Sequence, residues 1–240
     1  MLSRSTEKLW RKLSTKKYRL QHRMFIAEGK KVVQELMDAG LTVEHLLVRE
    51  GSSLFPEHST AIPEKQLEQL SQLHTADEVM AIFRFPEIEV KLNGLVLILD
   101  RVNDPGNLGT IIRTCDWFGI HNIFCTIGTV DVYNAKTVQS TMGSMARVAV
   151  HYASQEAVFE ELSAKGYNFW CADMEGENIA EAQLPEKLAL VMGSESHGPS
   201  AFWKQNSHPI TIPRKENSKT ESLNVAIATA IILGNISLSR

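Results

Sequence analysis

Three stretches of this 240-residue chain join an apolar run to side chains suited to chemistry. In the first, Leu95-Val-Leu-Ile-Leu99 leads into Asp100-Arg-Val-Asn-Asp-Pro-Gly-Asn-Leu-Gly-Thr-Ile-Ile-Arg113. Asn107 falls in the turn and Arg113 inside the helix that follows, where a guanidinium can hold a phosphate bidentately or stabilise a developing oxyanion. A capping asparagine and an interface arginine fit this stretch equally well. The second, Leu188-Ala-Leu-Val-Met-Gly-Ser-Glu-Ser-His-Gly198, puts Glu195 between Gly193 and Gly198, two glycines that let backbone approach a ligand closely. The third runs from Ile210-Thr-Ile-Pro213 through a charged loop to Glu221-Ser-Leu-Asn-Val225. There Ser222 is placed to cap a helix over 221–237, with Leu223 and Asn224 in its first turn. Neither G-x-S-x-G, G-x-G-x-x-G nor G-x-x-x-x-G-K-[ST] occurs, which argues against a serine-hydrolase elbow at Ser194 or Ser196 with His197, a standard dinucleotide site and a P-loop.

The elements that must position these residues follow from periodicity. Up to residue 85 the pattern predicts a basic helix over 5–22, a strand at Met24–Ala27, a helix from Lys30 to Ala39, a strand at 43–48, a helix at 64–72 and a strand at 79–83. The polar, strand-breaking segment from Pro86 to Gly94 predicts a boundary, giving domains over 1–87 and 93–240. Beyond it, strands at 95–100, 122–127, 147–152, 168–173, 188–193 and 209–212 alternate with helices at 107–118, 134–140, 155–165, 199–206 and 221–237. Such alternation implies an α/β fold, a mostly parallel sheet with helices on both faces. Continuous apolar runs such as Leu95–Leu99 belong to strands buried on both sides.

A hydrophobic share of 43% with 22% charged residues is ordinary for a globular protein. No apolar run approaches the length of a membrane helix, about 20 residues, and the basic start lacks a signal-peptide core, so a cytoplasmic protein is expected. Cys115, Cys125 and Cys171 form no C-x-x-C pair and read as buried reduced thiols, with no metal expected. The net charge of -3 conceals an asymmetry: residues 1–31 hold ten Lys/Arg against two acidic groups. A basic end on an acidic body suggests a polyanion partner, with Arg11, Lys12, Lys16, Lys17, Arg19 and Arg23 as candidate contacts; a solvated basic helix is the alternative.

Taken together, Asp-x-Val-x-Asp-Pro-x-Asn-x-Gly-x-x-x-Arg, Gly-Ser-Glu-x-x-Gly and Ile-Pro with Ser-Leu-Asn-Val resemble the three ordered motifs of the SpoU/TrmH family over residues 95–238. These are S-adenosylmethionine-dependent RNA 2'-O-ribose methyltransferases of the SPOUT class. The N-terminal part, with Phe25-Ile-Ala-Glu-Gly29, resembles the family's small α/β, ribosomal-protein-like substrate-binding domain. The resemblance implies a trefoil-knotted α/β catalytic domain, a departure from the usual absence of knots, and a homodimer. It also implies that Gly193, Ile212 and Leu223 contact the donor, that Asn107, Arg113, Ser222 and Asn224 form the catalytic cluster, and that Glu195 is structural near the interface. Arg113 is then expected to act across the dimer, clamping phosphate and oxyanion rather than serving as a base, since a guanidinium is not readily deprotonated in proteins. One departure stands out. The family usually has a glycine soon after Ile-Pro, whereas residues 214–220 contain none. The separate N-terminal domain favours 23S rRNA as substrate over tRNA, and a catalytically silent RNA-binding or ribosome-assembly module of the same fold is a further alternative.

Overall fold

The computed structural model describes residues 4–88, 90, 92 and 94–239, so the expected boundary near 88–93 lies partly outside the described residues. Contacts divide the chain into two units, and the first combines residues 1–88 with 131–147. Its elements begin with α1 (Arg4–Lys12), α2 (Lys16–His22), β1 (Met24–Glu28), α3 (Lys30–Asp38) and β2 (Val43–Arg49). They continue with β3 (Thr60–Ile62), α4 (Glu64–Leu70) and β4 (Val79–Arg84). The strands form a sheet of order β1-β4-β2-β3, in which only β2 and β3 run parallel. Trp10, Leu13, Ile26, Leu47, Leu67, Met80 and Ile82 make one core cluster. Strand β3 escaped the sequence reading because three residues are too few to show alternation.

The basic helix expected over 5–22 is two helices. Trp10 and Leu13 are buried in the core, and the guanidinium of Arg19 turns back into the break. Its Nη1 donates to the carbonyls of Leu13 at 2.7 Å and Ser14 at 2.8 Å, while Nε and Nη2 donate to Asp131 Oδ2 at 3.1 and 2.7 Å. Arg19 is only 4% exposed. This corrects its assignment to an RNA-facing surface: its donor fork satisfies carbonyls and a carboxylate inside the unit. Asp131 begins the second contribution to this unit, in which Tyr133 stacks on Phe85 with ring centroids 3.7 Å apart and also meets Phe25.

The second unit comprises residues 89–130 and 148–240. It starts with β5 (Leu95–Asp100), α5 (Pro105–Trp117) and β6 (Asn122–Thr126); the chain then passes through α6 (Ala135–Thr141) of the first unit. It resumes with β7 (Ala149–Ala153), α7 (Gln155–Ala164), β8 (Asn168–Asn178), β9 (Leu188–Gly193), α8 (Ala201–Asn206), β10 (His208–Thr211) and α9 (Val225–Leu238). The sheet has the order β10-β8-β9-β5-β6-β7, every pairing parallel. Every residue of the central strands β5 and β9 is buried, as their unbroken apolar runs require. Val96, Ile98, Phe124, Val158, Leu162, Val191 and Trp203 fill one core cluster, and α5 packs beside α9. Cys115, Cys125 and Cys171 are buried thiols, with burial pushing Cys171 up to about 12. Among the described residues no helix is long and apolar enough to cross a membrane.

Candidate active site at the carboxyl ends of the parallel strands

Asp100 ends β5 with 1% of its surface exposed and anchors the site's frame. Its Oδ1 accepts from the Thr126 hydroxyl at 2.9 Å and its Oδ2 from the Ser200 amide at 2.7 Å, tying β6 and the loop after β9 to the end of β5. Asp100 opens the first motif, and an acidic residue closing an apolar strand is its signal in the sequence. Past it, Asp104 caps α5 by accepting from the Asn107 amide at 2.8 Å, and Pro105 stands in the first turn, where no amide hydrogen is needed.

The three stretches meet at Asn107. Its Nδ2 donates to Glu195 Oε1 at 2.6 Å, and its Oδ1 accepts from Asn224 Nδ2 at 3.0 Å. Asn224 in turn caps α9, its Oδ1 accepting from the amides of Ala226 at 2.9 Å and Ile227 at 3.3 Å. Because backbone amides can only donate, they fix which end of the Asn224 amide faces Asn107. That orientation fixes Asn107 too, leaving its NH₂ for the Glu195 carboxylate. The helix therefore starts at Val225 with Asn224 as its cap, a correction to the reading that gave this role to Ser222. Two acceptable caps two residues apart cannot be ranked from sequence, and Asn107 settles the choice by binding Asn224.

Beside this relay lies a cavity of about 440 Å³, within the range of small-molecule sites. Gly193, Glu195, Ile212, Ser222 and Leu223 line it, as do the apolar side chains of Met192, Ile210, Val225 and Ile232. Its outer wall is a bulge in β8. Pro209 and Ile210 are consecutive in β10 yet pair with Cys171 and Glu177, so the residues between these two, including Ala172, Asp173 and Met174 of the lining, are displaced from the ladder. The Lys204 ammonium holds this bulge through Asp173 at 2.7 Å. Burial works to raise the Asp173 pKa, but the Lys204 bond and the Glu175 and Met174 amides keep it below the ordinary value. Extension of β8 to Asn178, past the expected 173, accompanies the bulge.

Gly193 lines the cavity, but the structure gives a second reason for a glycine there. A Cβ at this position would sit 2.0 Å from the Pro199 nitrogen and 2.1 Å from the Gly198 carbonyl carbon. Backbone crosses backbone here, in the loop closed by the bridge between Ser194 and Gly198. Gly193→Ala is therefore expected to destabilise the fold by about 1–3 kcal/mol, the cost of overpacking a fitted contact. Denaturant midpoints would measure it; an unchanged midpoint would show that the crossing can open.

Arg113 stands apart from this cluster, exposed on α5 and outside the cavity lining. Of the basic candidates in the first unit, Arg11, Lys16, Lys17 and Arg23 are exposed and Lys12 is half-buried. Arg11 bonds Glu7 and Gln69, and Lys12 lies over the Tyr18 ring. Among the described residues no group of three or more His, Cys, Asp and Glu could hold a metal ion.

Residues 94–234 match the model of the SpoU rRNA Methylase family. The chain belongs to this family. Residues 6–81 of this SpoU methylase match an MRM3-like substrate binding domain. It is 31% identical to the 23S rRNA (guanosine(2553)-2'-O)-methyltransferase RlmP of Bacillus subtilis over 93% of its own length and 92% of the relative's. A solved TrmH-family structure from Porphyromonas gingivalis superposes with a TM-score of 0.85 at 36% identity, covering 98% of each chain. The AdoMet-bound rRNA methyltransferase of Sinorhizobium meliloti superposes with a TM-score of 0.84 at 28% identity, covering all of this chain and 97% of the other. The SPOUT-type α/β fold expected from the motifs is thus the fold found.

Proposed function

We propose that this protein methylates a ribose 2'-hydroxyl in 23S rRNA with S-adenosylmethionine as donor, in the cytoplasm and as a homodimer with a knotted catalytic domain. The observation that carries the reading is the relay from Glu195 through Asn107 to Asn224, which joins three distant motifs beside a cavity of suitable size. The residues present fit the donor: apolar Met192, Ile210, Ile212 and Leu223 can flank an adenine, and Gly193 leaves backbone exposed to it. When bound, the donor supplies an electrophilic methyl group on a sulfonium.

The protein's share is positioning and electrostatics. The bonds of the relay set the orientation of the Asn107 and Asn224 amides, which favours their being preorganised for the ribose. Ser222 lines the cavity and offers the hydroxyl oxygen a second partner. Arg113 lies outside its own subunit's cavity, which favours a role in the partner's site. The exposed apolar row of Ile227, Ile231 and Leu238 on α9, with Trp117 on α5, is suited to bury against a second copy. Arg113 would then clamp the adjacent phosphate and stabilise the developing oxyanion. Arg11, Lys12, Lys16, Lys17 and Arg23 of the first unit would hold RNA phosphates.

Arg113→Lys keeps the charge and removes the planar fork, so kcat/KM for rRNA methylation is expected to fall about 100-fold, as for loss of one transition-state donor. Near-normal turnover would contradict the clamp. Calorimetry with S-adenosylmethionine tests the reading as a whole, because a silent assembly module has no need to bind it.

A further inference from the structure

We propose that the carboxyl ends of β5 and β6 form a shelf for the nucleotide adjoining the methylated ribose, with Arg101 on its phosphate and Ile127 under its base. The proposal rests on the RNA methyltransferase reading. The donor cavity draws its walls from β8, β9, β10, the loops that follow them and α9, and those strands are one half of the sheet. Asn107, after β5, marks where that half ends. In-line methyl transfer requires the hydroxyl to approach from the side opposite the sulfur, and the half of the sheet whose strands do not line the cavity is β5, β6 and β7.

The shelf is built firmly and left open. Arg101 adopts a left-handed backbone conformation with φ 59°, rare for a residue with a side chain. Its amide donates to the Thr126 hydroxyl at 3.1 Å, and its guanidinium reaches Asp100 with one nitrogen at 3.3 Å. Asp100 already accepts from Thr126 and Ser200, and the Arg101 side chain stays 43% exposed. Its stem lies along Gly128, where a Cβ would come within 3.2 Å of Cγ. Next to it Ile127 is 75% exposed, and Tyr152 of β7 presents part of its ring while its hydroxyl donates to the Val130 carbonyl at 2.6 Å. A fixed cation beside an apolar surface at the edge of the reaction centre fits a nucleotide: the guanidinium pairs with phosphate, and the apolar surface packs on a base without reading its sequence.

The test uses the full-length protein with 23S rRNA lacking the modification. Arg101→Glu and Ile127→Asp are each expected to raise KM for RNA about tenfold, as loss of one phosphate or stacking contact does, with S-adenosylmethionine affinity by calorimetry unchanged. Arg101→Gln, which removes the charge and shortens the side chain while keeping a polar end, should show the same direction. A photoreactive p-benzoylphenylalanine at position 127 is expected to crosslink to nucleotides flanking the methylated ribose. If the wild-type protein methylates RNA while all three variants keep their KM, or if the crosslinks reach only protein, the shelf is refuted and the reaction stands. Crosslinks to RNA from a protein that transfers no methyl would refute the reaction and keep the shelf.

Discussion

Replacing Asn107 with alanine is expected to lower kcat/KM for rRNA methylation by about 10²–10³, the range for removing one preorganised polar group from a transition state. Asn107 is the residue through which Glu195 and Asn224 are joined, at 2.6 and 3.0 Å. Asn224 would keep its bonds to the amides of α9, so the helix start should survive and donor affinity should change little. The loss should therefore appear in kcat rather than in donor binding. Asn107→Asp should not rescue it, because a carboxylate there faces the Glu195 carboxylate without a proton to share. Single-turnover rates at saturating donor would measure both variants. A fall of less than about tenfold for Asn107→Ala would mean that the relay is scaffolding rather than machinery.

The largest expected effect on stability lies in the first unit. Asp131→Ala leaves the buried guanidinium of Arg19 without its carboxylate, and an unpaired buried charge of this kind costs about 3–5 kcal/mol. Arg19 also holds the carbonyls of Leu13 and Ser14, so α1 should loosen from α2 when the guanidinium moves. Arg19→Met is the informative companion: it removes the charge, keeps an apolar stem and leaves Asp131 able to reach its neighbours' amides, such as that of Tyr133. Urea denaturation should place Asp131→Ala well below wild type, and Arg19→Met below wild type too, since the Leu13 and Ser14 carbonyls then lose their donor. Equal midpoints for wild type and Asp131→Ala would show that water reaches the pair.

How much of this was legible in the sequence depended on the range of the cause. The buried strands β5 and β9 were readable because burial on both faces leaves an unbroken apolar run, and their glycine and proline turns marked the ends. The three motifs declared their residues. What they did not declare was partnership, since Asn107 and Asn224 are 117 positions apart and their bond is set by the sheet order. The choice of Asn224 over Ser222 as cap depended on that long-range bond. Arg19 was misread for the same reason: in a run of lysines and arginines nothing local distinguishes the one whose carboxylate lies 112 positions away. Likewise, the packing of residues 131–147 with the first unit follows from Tyr133 meeting Phe25 and Phe85, a contact with no local signature. A deletion of residues 1–85 would remove Phe25 and Phe85 and uncover the Tyr133 ring, so it is a poor way to separate RNA binding from donor binding.

The central claim is that this chain places a methyl group on a ribose oxygen of 23S rRNA. The direct measurement incubates the purified protein with S-adenosylmethionine and rRNA from cells lacking it, then maps bonds that resist alkaline cleavage, because a methylated 2'-oxygen can no longer attack its own phosphate. The account predicts one new resistant linkage in 23S rRNA, absent with Asn107→Ala. Label transferred to a base, or resistance arising only in tRNA, would contradict it.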